Sequence, residues 1–274
     1  MNMQGQSRAA ALAAAAVLAI SGVAGCAKED TGGTTDTGVA LVKSGVLTTC
    51  THLPYAPFQS KDAAGKVVGF DVALVDLVAA RLKVTQEIVD TPFEGIKSGS
   101  DLNAGKCDIA AAGMTITDER KRVLDFSEPY FDATQALAVL TGKEVKTLEE
   151  LVGKRLGVQG GTTGEEYIKA QVKAKKLDIE VVSYRDLAAL QQALATNQIV
   201  AAVNDLPVWN EYIKANPGKV VVATGFDTGE QYGFAVKKGN AALLAVVNEA
   251  LTAARSDGTY DKIYKSWIGE KPVG

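Results

Sequence analysis

The chain has 274 residues, a formal net charge of −3 and 47% hydrophobic residues, so it can build a sizeable core. Its mildly acidic balance argues against nucleic acid or anionic lipid as the main partner. One histidine and three cysteines offer too little for a zinc site, and neither a metal nor a cofactor is expected.

Arg8 is the only charge in the opening "MNMQGQSRAA". The apolar run "AAALAAAAVLAI" that follows is too short to span a bilayer as a stable helix. Small residues then lead to Cys26, which is the layout of a secretory signal over residues 1–25. "VAGC", Val23 to Cys26, resembles a bacterial lipobox, in which the cysteine receives a diacylglycerol. The polar, Gly/Thr-rich stretch "AKEDTGGTTDTG" after it has little to bury, so residues 26–44 are expected to form a disordered, lipid-anchored tether. A plain signal peptide with an incidental cysteine is the alternative.

About 230 residues follow, enough for one large domain or two small ones. "GVLTTCTH" and "KVVGF" read as strands. "DVALVDLVAARLK" places Leu74, Val75, Val78 and Leu82 on one face and Asp76, Arg81 and Lys83 off it, which predicts an amphipathic helix. "CDIAAAGM", "QALAVLTG", "RLGVQ", "IEVVSY", "IVAAVND", "KVVVATG" and "YGFAVKK" are further strands. Helices are expected between them, including "RDLAALQQALATN" and the C-terminal "NAALLAVVNEALTAARSDGTYDKIYKSWIG". Cys50 and Cys107 lie in apolar strand-like runs; they form either a disulfide, which export would permit, or two buried thiols.

The alternation of strands and helices predicts an α/β fold with mostly parallel sheets, in which ligands bind beyond the carboxyl ends of strands. Polar groups follow apolar runs at Thr51 to Tyr55, Gly113 to Thr117, Gly160 to Gly164 and Asn204–Asp205. Arg120 offers a planar fork matched to a carboxylate, in the first turn of a helix that Thr117 can cap. "GGTTGEEY" puts a Gly-rich turn at another helix start, where free N–H groups attract an anion. Asp205 could accept from an ammonium group. Together these suit a zwitterion, an α-amino acid held by both charged ends. The blander alternatives are a surface pairing of Arg120 with Asp118 or Glu119, and Asp205 as a helix cap.

"TPFEGI", "GKCDIAAAGMTITDERKRVLDFSEPYF", "LGVQGGTTGEEYI" and "DGTYDKIYKSWIG" occur in the order and spacing found in the polar amino-acid-binding proteins of bacterial ABC importers. The chain resembles that family over about residues 45–269. The resemblance implies a two-lobed periplasmic-binding-protein-like (type II) fold, each lobe a mostly parallel sheet flanked by helices. Residues 45–134 and 231–270 would form lobe 1 and residues 135–230 lobe 2, with hinge crossings near Asp132–Leu137 and Glu230–Phe234. It implies a ligand carboxylate on Arg120, a hydroxyl from Thr115, a carbonyl from Gly113, the turn Gly161, Thr162 and Thr163, and an ammonium on Asp205. Tyr55 would cover the ligand and Phe93 would wall it. His52 stands where the family is often acidic, which speaks for a neutral polar or acidic ligand; a loop histidine facing solvent is the alternative. The expected partners are an amino acid, ABC permease subunits and, through the anchor, the outer face of the cell membrane, with the protein a monomer. The same fold also hosts dehydratases of the cyclohexadienyl type and amino-acid sensors. Glu94 and His52 are the only acid–base candidates for an enzyme.

Overall fold

The structure is a computed structural model, and it describes residues 32–270. The signal segment, Cys26 and the start of the tether lie outside the described residues. Within them the chain opens with a hairpin, β1 (Gly33–Thr34) and β2 (Ala40–Leu41). Residues 32–44 were expected to be disordered, and this is a correction: Val39 and Leu41 are buried in the first core. Two apolar side chains and the Thr35–Val39 turn bonds suffice to dock this short segment.

The first sheet begins with β3 (Val46–Thr51). A small hairpin, β4 (Ser60–Lys61) and β5 (Val67–Val68), precedes α1 (Phe70–Leu82). The predicted "KVVGF" strand therefore shrinks to two residues, because the backbone turns into α1 at Gly69. There φ is +148° and a Cβ would lie 2.0 Å from the Phe58 carbonyl oxygen, so only glycine fits. α1 buries the predicted face, Leu74, Val75, Val78 and Leu82. Next come β6 (Thr85–Asp90), α2 (Phe93–Lys97), α3 (Ser100–Asn103), β7 (Ile109–Ala110), α4 (Asp118–Lys121) and β8 (Leu124–Phe126).

The chain then passes into the second sheet through β9 (Phe131–Leu140). A 3-10 turn at Glu149–Leu151 leads to β10 (Arg155–Gln159), α5 (Thr163–Ala174), β11 (Glu180–Tyr184), α6 (Leu187–Ala195), β12 (Ala201–Asp205) and α7 (Leu206–Ala215). It returns along β13 (Val220–Tyr232) to β14 (Ala235–Lys237) in the first sheet. Two helices, α8 (Ala241–Ser256) and α9 (Thr259–Trp267), replace the single C-terminal helical run of the sequence. The break is Gly258, at φ +77°.

The strand orders are β6-β3-β7-β14-β8 and β11-β10-β12-β9-β13. In each sheet three neighbouring strands are parallel, and the fourth in the row, β14 or β9, runs against both its neighbours. Each reversed strand arrives from, or leads to, the other half of the chain. The two passages are neighbours, since β9 and β13 pair with each other, Phe131 opposite Tyr232 and Ala133 opposite Glu230. Their lower ends root in an aromatic cluster of the first lobe: Tyr130 stacks on Phe234 at 4.1 Å, and Phe131 and Tyr232 pack edge-on against Phe58. Cys50 on β3 and Cys107 ahead of β7 form a disulfide with a Cα–Cα distance of 5.6 Å, which closes the open alternative.

Candidate functional site

The carboxyl ends of β3 and β7 face those of β10 and β12 across the gap between the sheets, and the polar groups expected at these ends meet there. β3 runs out into His52 and a loop closed by the Tyr55 N–H donating to Gln59 (2.7 Å), which presents Tyr55 and Gln59. β7 runs out into Ala112 and Gly113, and α2 brings Phe93. The short α4 begins where Thr117 accepts from the Arg120 N–H at 3.2 Å, and it carries Arg120 back over the strand end. From the other lobe come Gln159 at the end of β10, Thr162 and Thr163 at the start of α5, and Asp205 at the end of β12. All of these line one cavity. Its volume is only ≈ 20 Å³, about one water molecule, so the lobes are closed and the polar groups bond to one another.

Arg120 is 6% exposed. It donates to the Thr115 carbonyl at 2.8 Å and, across the gap, to the Gly161 carbonyl at 3.3 Å. Its guanidinium lies 5.4 Å from the centre of the Phe93 ring. Among the described residues it forms no ion pair, which rules out surface pairing with Asp118 or Glu119. Burial pushes its pKa down, and the more distant Glu166, Glu230, Asp205 and Glu119 pull it back up. A buried guanidinium hydrogen-bonded to carbonyls alone is costly to the fold, and its planar fork has the chemistry and shape to receive a carboxylate.

Asp205 stands at the N-cap of α7, yet its side chain makes no capping bond. It turns into the cavity and accepts from the Tyr55 hydroxyl at 2.6 Å, from the Tyr232 hydroxyl and from Gln135 Nε2. Burial, helped by the charge of Glu230, raises its pKa to about 6. The same burial, with the Asp205 carboxylate beside them, pushes the hydroxyls of Tyr55 and Tyr232 well above their usual range. Tyr55 has one proton and two acceptors, Asp205 and, at 2.7 Å, Asn204 Oδ1. An ammonium would supply the donors that this cluster lacks.

Not every expected residue touches the cavity. Thr115 and Gly161 lie behind it: their carbonyls hold the two arms of Arg120. The Thr115 hydroxyl meets Thr163 Oγ1 at 3.3 Å and Glu230 at 3.1 Å. Gly113 does face the cavity, at φ +54°, and a Cβ there would come within 3.0 Å of the Tyr55 ring, so the position requires glycine. Its N–H donates to Asp71 at 2.8 Å. Asp71 is fully buried, also accepts from Tyr130, and is raised to about 6 by burial. His52 lines the cavity rather than facing solvent. Glu94 pairs with Lys97 at 3.2 Å and does not line the cavity, so neither acid–base candidate has a partner suited to turnover.

Sequence reasoning missed Gln59, Ala112 and Gln159 on the wall. It also missed Glu230, which accepts from Thr115, Thr163 and Gln135 and so ties both lobes to a passage strand. Ala112 and Gln159 each sit one residue, and Gln59 four residues, from the polar strand ends singled out in the sequence. Glu230 was expected only at the start of a hinge crossing, not as a residue of the site.

Comparison with known proteins gives concordant matches. The sequence model of "Bacterial extracellular solute-binding proteins, family 3" matches residues 47–270. A probable histidine-binding protein of Neisseria gonorrhoeae is 33% identical over 275 residues, covering 99% of this chain and 98% of its own. The glutamine-binding protein GlnH of a Bacillus subtilis ABC transporter is 34% identical, covering 77% and 76%. An ancestral arginine-binding protein solved with arginine superposes with a TM-score of 0.77 at 42% identity, over 82% of this chain and 99% of that one. The relatives so named are binding proteins, not enzymes, and the shared architecture is the two-lobed type II fold.

Proposed function

The chain belongs to the bacterial extracellular solute-binding proteins, family 3, and we propose that it captures an L-amino acid between its lobes and hands it to the permease of an ABC importer. One observation carries the reading. Among the described residues, a buried guanidinium without a carboxylate partner and a buried carboxylate without a cationic one line the same closable cavity. Arg120 takes the ligand carboxylate. Asp205 and the Gly113 carbonyl take the ammonium, while Tyr55 and Phe93 enclose the rest and Thr162 and Thr163 close from the second lobe. Thr115 and Gly161 position Arg120 from behind. The relatives described above are named for histidine, glutamine and arginine, so recognition of the α-amino acid ends fits them all, and side-chain choice is set elsewhere on the wall.

The mechanism has no covalent step. The lobes part, Tyr55 leaves Asp205, and the ligand docks on Arg120 and the first lobe. Closure then brings Asp205 and the start of α5 onto it, with bending at the ends of β9 and β13. Hydrogen bonds to charged groups contribute about 1.5–3 kcal/mol each. Several of them, less the cost of ordering the ligand, leave about −8 kcal/mol, a micromolar affinity.

A thermal-shift screen of the twenty amino acids and cystine tests the reading. At ligand a thousandfold above Kd, at least one should raise Tm by about 5 °C or more, and no shift with any of them would contradict it. The "VAGC" site supports a further part of the proposal, a monomer tethered through lipid on Cys26 to the outer face of the membrane. Cys26→Ser should then move the protein from the membrane fraction to the soluble one; retention would count against the anchor.

A further inference from the structure

Two buried acceptors on the cavity wall have no hydrogen-bond partner among the described residues: His52 Nε2 and Gln59 Oε1. Both residues line the cavity, and Gln59 is 1% exposed. Neither is hydrogen-bonded to Arg120 or Asp205, so they form a third face of the site, apart from the groups that hold the ligand's charged ends.

Their roles are fixed by backbone carbonyls. His52 Nδ1 lies 3.0 Å from the Thr91 carbonyl oxygen, an atom that only accepts. Nδ1 therefore carries the proton, and in the neutral ring Nε2 is left with a lone pair. Gln59 Nε2 donates to the His52 carbonyl at 3.3 Å. Reversing that amide would set two oxygens against each other, so Oε1 remains the free acceptor. Buried acceptors without partners are rare in folded proteins, and two on the wall of one cavity call for donors.

We propose that His52 and Gln59 read the ligand's side chain, selecting an amino acid whose far end donates hydrogen bonds, a carboxamide or a guanidinium, over one ending in a carboxylate or an alkyl group. This inference rests on the amino-acid-binding function proposed above. A side-chain carboxylate would press lone pairs against lone pairs. An alkyl end would strip both acceptors of water and return nothing. Among the described residues Asp205 is the only acid on the wall, and it is committed to the ammonium, so the selection works through neutral acceptors rather than an ion pair. The sequence-based preference for a neutral polar or acidic ligand is thereby changed: the amide stays, the acid is dropped, and a guanidinium, which that preference disfavoured, is admitted.

The test is calorimetric titration of the wild-type protein at pH 7.5 with L-glutamine, L-arginine, L-glutamate and L-leucine. Glutamine or arginine should bind at least tenfold more tightly than both glutamate and leucine. His52→Leu and Gln59→Leu should each narrow that gap at least fivefold, chiefly by weakening the donor-ended ligand. Glutamate or leucine binding as tightly as the best donor-ended ligand overturns the proposal, and this arm needs no variant to fold. A gap undiminished in both variants also overturns it. Heat from none of the four, when another amino acid shifts Tm, overturns the selectivity alone. Silence from every amino acid overturns the function on which it rests.

Discussion

At the scale of single residues, the site is built from groups that the fold alone would not choose. Asp205 shows this through its protons. Its pKa is raised to about 6, by burial first and by Glu230 second, against an ordinary 3.8. The ligand-free protein therefore keeps this proton up to about pH 6, whereas the unfolded chain releases it near 3.8. The sign follows: this group favours the folded state below the unfolded pKa, and that contribution is lost as pH rises to about 6. Binding runs the other way, because an ammonium needs the ionised carboxyl. Affinity should be level above about pH 7 and fall by up to about tenfold per unit as pH drops from 6 towards 4. Titrations across that range check it, with Asp205→Asn expected to flatten the slope. Asp71 is raised to about 6 as well but faces the Gly113 N–H and Tyr130. A slope that persists in Asp205→Asn would move the titration to Asp71 and contradict the assignment.

At the scale of elements, what the sequence made legible was whatever left an apolar pattern. α1 shows its buried stripe at the predicted positions, and β3, β10 and β12 end where their apolar runs end. β6 was invisible: it is an edge strand that carries Thr85, Gln86 and Glu87, and none of its six residues is fully buried. β13 was only half visible. Its first residues, "VVVATG", read as strand, but "FDTGEQY" has the composition of a turn and is held extended by pairing with β9 through two irregularities. That pairing explains why Glu230 was expected at a hinge crossing and not in the site, since it reaches the site only by tertiary register. Phe93 and Arg120 were reachable because family motifs surround them, and Tyr55 and Asp205 because they stand at polar strand ends that follow apolar runs. Gln59 and Gln159, in contrast, are recognisable only once the loop and strand ends are folded together. The tether failed for the opposite reason: a polar average hid Val39 and Leu41, which are enough to pin a hairpin to the core.

At the scale of the whole molecule, the two lobes meet through the site itself. Tyr55 reaches Asn204 and Asp205, Arg120 reaches Gly161, and Thr115 reaches Thr163, each bond crossing the cleft. The closed form satisfies these groups imperfectly, with a guanidinium on carbonyls and one tyrosine proton for two acceptors. On the proposed reading a zwitterion would complete both ends at once, which would give closure its differential affinity for the liganded state. On that reading Arg120 is kept for binding at some expense to the fold, because a buried charge that forms no ion pair among the described residues destabilises it. The most direct test is therefore calorimetric titration of Arg120→Met with the best amino acid from the screen, at a temperature where the variant is folded. The account predicts a loss of affinity of at least about a hundredfold, the value of two charge-assisted bonds, with a ligand-free Tm no lower than that of the wild-type protein. An Arg120→Met protein that binds that amino acid as tightly as the wild type would contradict it.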